Sequence, residues 1–200
     1  LAKLSIRRII LEHDEKTRKE FGKQKYQDEI KYIVEHKKRN SFIANLSLDL
    51  RGNTLILYNY VEKHGKPLYD IIKDKVNESR KIFFVSGNTP ATDREAIRAI
   101  VEKQKDSITV ASLGTFSTGI NIRNLHNIVF ASPSKSQIRV LQSIGRGLRK
   151  TDDGKPATVY DIVDDIKYKS RDNFTLRHAG ERFRFYTEEK FDYKINSIDI

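Results

Sequence analysis

Short apolar runs recur along the central part of the chain: TLILYNY (54–60), KIFFVSG (81–87), SITVAS (107–112), NIVFAS (127–132) and ATVYDIVD (157–164). Their length, β-branched content and lack of polar alternation predict strands covered on both faces. Between them, PLYDIIKDKVNES, PATDREAIRAIVEKQ and KSQIRVLQSIGRGLRK carry apolar residues at helical spacing. Strand and helix in alternation predict βαβ crossovers and an α/β fold with a mostly parallel sheet flanked by helices.

The flanks have a different texture. LSIRRIIL (4–11) reads as a strand, and the charged stretch from there to position 25 reads as a linker. Tyr26, Ile30, Ile33 and Val34, then Phe42, Ile43, Leu46 and Leu50, follow helical spacing. They predict two helices, with Asn40 or Ser41 capping the second and Gly52 ending it. Past 167 the pattern predicts a basic-aromatic helix over 170–189 and a final strand, YKINSIDI. The tail aromatics Phe174, Phe183, Phe185, Tyr186 and Phe191 are expected to pack on the domain rather than to stack on bases.

Charge changes the picture. The net charge is +11, and no Asp or Glu lies between Ser107 and Thr151, where Arg123, Lys135, Arg139, Arg146, Arg149 and Lys150 are all basic. This segment is expected to face a polyanion. There is no cysteine, and the five histidines show no ligand spacing, so no metal site is expected. No apolar run approaches the ~20 residues of a membrane span, and none resembles a leader. A cytoplasmic, soluble and monomeric protein is expected. The chain starts at Leu1 and has no methionine, so it is expected to be a fragment.

In an open α/β sheet, ligands bind outside the carboxyl ends of the strands. The segments there, YNYVEKHG, SGNTPATDR, SLGTFSTGIN and SPSKSQ, are rich in hydroxyls, amides and glycine, which let backbone N–H groups approach an anion. In QSIGRGLRK, at about 100° per residue, Gln142, Arg146 and Arg149 fall within roughly 60° of one another. Val140, Leu141, Ile144 and Leu148 form the opposite side. Gly145 and Gly147 each cost a helix roughly 1 kcal/mol, so they are expected to keep that front low for something to come close. The arginines would also offset the helix dipole by a few tenths of a kcal/mol. No GxxxxGK[ST] loop and no DExD/H pair occurs, so the chain reads as half of a phosphate site.

VASLGTFSTGIN followed by QSIGRGLR resembles motifs V and VI of superfamily-2 helicases, with the QxxGRxxR spacing complete at Gln142, Gly145, Arg146 and Arg149. TLILYNYVEKHG is similar to motif IV, and FFVSGNTPATDRE to the adjoining motif. Motif order, spacing and the tail ERFRFYTEEKFDYKI are most similar to UvsW-type phage recombination DNA helicases, which remodel branched DNA.

The resemblance implies a second RecA-like lobe over 53–166, preceded by an interlobe linker strand and helices over 1–52 and followed by a helix and strand extension over 167–200. It implies arginine fingers at Arg146 and Arg149, with Gln142 ordering phosphate or water. Gly119, Asn121 and Gly145 would approach the nucleotide and couple it to motion. Ser86, Gly87, Arg94, Ser112 and Thr115, with Tyr58 and Asn59 as weaker candidates, would hold single-stranded or branched DNA. ATP and Mg²⁺ would be bound mainly by a missing first lobe, so this chain alone should not hydrolyse ATP. The alternatives are a non-enzymatic nucleic-acid-binding module, or the same lobe from an RNA helicase or a restriction translocase.

Overall fold

The structure, a computed structural model, describes residues 3–117, 121–148 and 154–200. In chain order the elements are β1 Ser5–Glu12, α1 Glu15–Phe21, α2 Tyr26–Glu35, α3 Lys37–Asp49, β2 Thr54–Tyr58, a π-helical turn Val61–Gly65, α4 Lys66–Lys75 and β3 Ile82–Val85. Then follow α5 Ala91–Lys103, β4 Ile108–Ser112, α6 Leu113–Ser117, β5 Asn127–Phe130, α7 Gln137–Gly145, β6 Thr158–Asp165, α8 Phe174–Glu188 and β7 Asp192–Asp199.

The strands form one seven-stranded sheet in the order β3-β4-β2-β5-β6-β1-β7. Every pairing is parallel. Side chains alternate across it, as the period of two requires. Leu55 and Leu57 join Val101 of α5, Phe116 of α6, Leu141 and Ile144 of α7 and Tyr186 of α8 on one face. Ile56 and Tyr58 join Ile43 of α3 and Leu68 and Ile72 of α4 on the other. Central strands are covered on both faces as expected; β3, at the edge, keeps Ile82, Phe83 and Phe84 only half-buried.

The flanking segments are woven into the same sheet. β1 lies between β6 and β7, in register from Ser5↔Thr158 to Glu12↔Asp165 on one side. Within the charged stretch after β1, Glu15–Phe21 forms a helix that packs on the lobe. Asp14 accepts the Thr17 N–H at 2.8 Å, Arg18 donates to the His13 carbonyl and Asp165, and Phe21 packs on Tyr32 at 4.4 Å. α3 begins at Lys37 and is capped by His36, whose Nδ1 accepts the Arg39 N–H at 3.1 Å, so neither Asn40 nor Ser41 is the cap. Asn40 is instead turned inward, donating to the Val34 carbonyl.

Buried charges fasten the C-terminal helix. Asp161 of β6 accepts two bonds from Arg182, at 2.8 and 2.7 Å, and one from the Tyr186 hydroxyl at 2.7 Å. Burial opposes the Asp161 charge, but Arg182 beside it prevails and holds the carboxyl below its usual range. Glu29 of α2 accepts the N–H groups of Phe174 and Thr175 at 3.0 and 2.8 Å, capping α8 from across the molecule. The tail aromatics pack on one another and on the sheet: Phe185 meets Phe191, and Tyr186 meets Tyr193. Phe183, 43% exposed, still contacts Arg8 and Tyr193.

Candidate nucleotide and nucleic-acid interface

Because all the strands run the same way, the ends of β3, β4, β2 and β5 bring 86–90, 113–117, 59–60 and 131–136 to a single sheet edge. In the first of these segments the Ser86 N–H donates to Thr89 Oγ1 at 3.0 Å and the Asn88 N–H to Ser86 Oγ at 3.3 Å, which shapes the entry into α5. Gly87 is exposed, and a Cβ there would meet nothing within 4 Å. Arg94 stands half-exposed in the first turn of α5. At the end of β4, Ser112 Oγ and Thr115 Oγ1 are 2.5 Å apart, and the Thr115 N–H donates to Ser112 Oγ. This local bond folds the expected loop into α6.

Asn59 is exposed, and its N–H donates to Ser132 Oγ at 2.9 Å. Behind it lies a chain of groups that sequence reading missed. His64 Nδ1 contacts Ser132 Oγ at 2.5 Å, and His64 Nε2 contacts Asn40 Oδ1 at 2.9 Å. Asn40 Oδ1 can only accept, so Nε2 carries the proton and Nδ1 accepts from the serine hydroxyl. Burial, with the nearby Arg39 charge, pushes the imidazole down to about 3, so it is neutral. Beside it Arg39 donates to Asp164 and to the Ala131 carbonyl, and Asp164 bonds His13. No spacing in the sequence links residues 13, 39, 64, 132 and 164; only the sheet brings them together.

Of the candidate backbone-contacting residues, Gly87 and Asn59 are exposed and Arg94 is half-exposed, whereas Ser86, Ser112 and Thr115 are buried at 8, 9 and 3% exposure, and so is Tyr58. It is fully buried, its ring is stacked on Phe84 at 5.5 Å, and its hydroxyl donates to the Val85 carbonyl at 2.9 Å. A Cβ on Gly65 would lie 2.6 Å from that ring, so the π-turn closes over it. Burial pushes the Tyr58 hydroxyl far above its ordinary value.

α7 has the amphipathic character its sequence predicts. Val140, Leu141 and Ile144 enter the core, while Gln142 and Arg146 are exposed, with Arg146 Nε donating to the Gln142 carbonyl at 3.4 Å. Among the described residues Arg146 makes no ion pair. The glycines differ from the expectation. The helix ends at Gly145, which is buried, and Gly147 lies beyond it. The gap at Gly147 is filled from within the chain: a Cβ there would sit 2.0 Å from Asn121 Oδ1. The Asn121 amide therefore lies directly against the backbone at 147. Gly119 and Arg149 lie outside the described residues. Among the described residues no helix is long and apolar enough to cross a membrane, and no group of His, Cys, Asp or Glu could hold a metal ion.

Comparison with known proteins gives the same direction. The helicase conserved C-terminal domain family matches residues 37–151. The ATP-dependent DNA helicase uvsW of Enterobacteria phage T4 is 39% identical over 214 aligned residues, which cover all of this chain and 42% of that protein. The crystal structure of T4 UvsW is similar with a TM-score of 0.83 and 35% identity, over 98% of this chain and 42% of that one. The E. coli DEAD-box protein SrmB, at 13% identity, shares the fold with a TM-score of 0.62 over 99% of this chain. The chain spans less than half the length of its phage relative.

Proposed function

This chain belongs to the helicase conserved C-terminal domain family, with the C-terminal RecA-like lobe of superfamily-2 helicases as its fold, and from that premise we propose its function. It is the second motor lobe of an ATP-dependent DNA helicase or translocase that acts on branched or duplex DNA in the cytoplasm of a host cell. It cycles as a monomer against a first lobe.

The observation that carries this reading is the exposed Gln142–Arg146 front of α7, a helix that meets the end of β4 where the Ser143 hydroxyl donates to the Phe116 carbonyl of α6 at 3.4 Å. An anion fits there, since segment 107–151 holds no carboxylate and Arg146 has no ion-pair partner among the described residues. ATP with Mg²⁺ would be held mainly by the first lobe and would supply the free energy of phosphoryl transfer to water. Arg146 and Arg149 reach across the cleft and stabilise charge on the transferring group, an effect on the order of 10³–10⁵ in rate. Gln142 orders the phosphates or the attacking water. Gly119 and Asn121 approach the nucleotide and pass its state to the strand-end segments, while Gly145, buried at the end of α7, serves from inside. Ser86, Gly87, Arg94, Ser112, Thr115 and Asn59 hold the DNA backbone, a sequence-independent and salt-sensitive grip. Tyr58 serves from inside, by holding β2 against Val85.

The test uses the full-length protein. Arg149→Ala and Arg146→Ala each lower DNA-stimulated ATPase by about 10³ or more, with DNA affinity near that of the wild type. Retained ATPase in both variants overturns the finger assignment.

A further inference from the structure

Beside the end of β2, between α2 and the π-turn, a cleft of about 240 Å³ opens to solvent. It is lined by Tyr26, Ile30, Lys31, Val34, Tyr60 and Lys63. Ile30 and Val34 are buried and form an apolar floor. Tyr60 is 41% exposed at the mouth of the cleft. Tyr26 is half-buried, with Phe174 at 5.7 Å and His178 at 5.8 Å, both close to perpendicular to it. The Lys135 ammonium lies 5.1 Å from the centre of its ring.

The rim is cationic. Lys31 and Lys63 line the cleft, Lys135 stands outside it against the Tyr26 ring, and all three are exposed and make no ion pair among the described residues. Of the acids close by, Glu62 bonds Lys66, Asp28 accepts the Lys25 N–H and Glu29 caps α8, while Glu35 stands one turn beyond Lys31 on the side away from the cleft. Two tyrosines over an apolar floor, with Lys31 and Lys63 on the lining and Lys135 beside Tyr26, match a flat heteroaromatic ring that carries phosphates on either side. Tyr60 directly follows Asn59 at the sheet edge, so a strand held along the ends of β3, β4 and β2 passes the mouth of this cleft.

We propose that the cleft takes one unstacked base of a single nucleic-acid strand, laid against Tyr60 and Tyr26, with Lys31, Lys63 and Lys135 on the flanking phosphates. The inference rests on the nucleic-acid-binding reading of the neighbouring edge. It adds a stacking step where the edge itself offers only backbone contacts, and it turns translocation past Tyr60 into a base-by-base event.

The experiment uses the full-length protein and single-stranded DNA oligonucleotides with 2-aminopurine at successive positions, with RNA of the same sequence in parallel. The wild type quenches one position, and quenching with DNA, RNA or both supports the cleft. Tyr60→Phe keeps the quenching. Tyr60→Ala abolishes it and weakens binding about tenfold, the scale of one lost base stack. Lys63→Ala lowers the slope of log affinity against log salt by about one without abolishing quenching. Tyr60 is exposed, so thermal melting of the alanine variant should match the wild type. If Tyr60→Ala keeps both affinity and quenching while Arg94→Ala and Ser112→Ala weaken binding, the cleft is overturned and the edge reading stands. If the wild type binds neither strand, both fall.

Discussion

Replacing Gly147 with alanine puts a methyl group where Asn121 now sits. An ideal Cβ at 147 lies 2.0 Å from Asn121 Oδ1 and 2.7 Å from its Cγ, and real Cβ contacts essentially never fall under 3.0 Å. The amide must therefore retreat by about 1 Å, a displacement that costs an active site on the order of 100-fold in rate. The fold should hardly notice. The left-handed glycines among the described residues are Gly52 and Gly154, so alanine suits the backbone at 147, and the atoms it meets are the far end of a rotatable side chain. A stability change of about 0.5 kcal/mol or less is expected. The assay is DNA-stimulated ATPase of the full-length protein, with urea denaturation as the control for folding. A double-mutant cycle sharpens it: with Asn121→Ala already in place there is no amide to displace, so Gly147→Ala should cost nothing more. If the loss at 147 adds in full to the loss at 121, the glycine makes room for something other than Asn121, and the reasoning is refuted.

His64 predicts a pH dependence of stability. Its folded value of about 3 lies below the 6.5 of a free imidazole, so the unfolded chain takes up the proton first and stability falls as pH drops from about 6.5 towards 3. Between pH 7 and pH 5 the loss should be about 2 kcal/mol, and His64→Gln should remove it; an unchanged slope in denaturation experiments at the two pH values would count against the buried neutral imidazole. Glu29→Ala should cost about 2–4 kcal/mol in equilibrium unfolding, because it strips charged acceptors from the Phe174 and Thr175 N–H groups, and a cost under about 0.5 kcal/mol would show that α8 does not depend on this cap.

Much of the framework was legible because it rests on local periodicity. Each apolar run from 54 to 164 became a strand within a residue or two of its expected ends, and the amphipathic pattern of α7 placed Gln142 and Arg146 outward. Misplaced features depend on partners distant in the chain. The stretch 12–25 looked like a linker because it has little apolar content, yet Arg18 bonds Asp165 and Phe21 packs on Tyr32. Asn40 looked like a cap because its residue type favours one, but its amide is committed to His64 and Val34. Tyr58 sits beside exposed Asn59 in a motif-like run, and alternation along the strand sends it into the core.

Taken alone, the sequence determined the parallel α/β class, which segments follow the strand ends at the candidate site, and the basic, acid-free character of 107–151, since these follow from hydrophobic period and from charge counted along the chain. Tertiary structure decided which groups meet. It set β1 between β6 and β7, placed Glu29 at the start of α8, and seated Asn121 in the notch of Gly147. It also joined Tyr26 and Tyr60 around one cleft. The physical reason is that periodicity tells each side chain which face to occupy. Which partner it finds there depends on the order in which strands and helices pack, and that order is settled by burial and hydrogen bonding summed over the whole sheet.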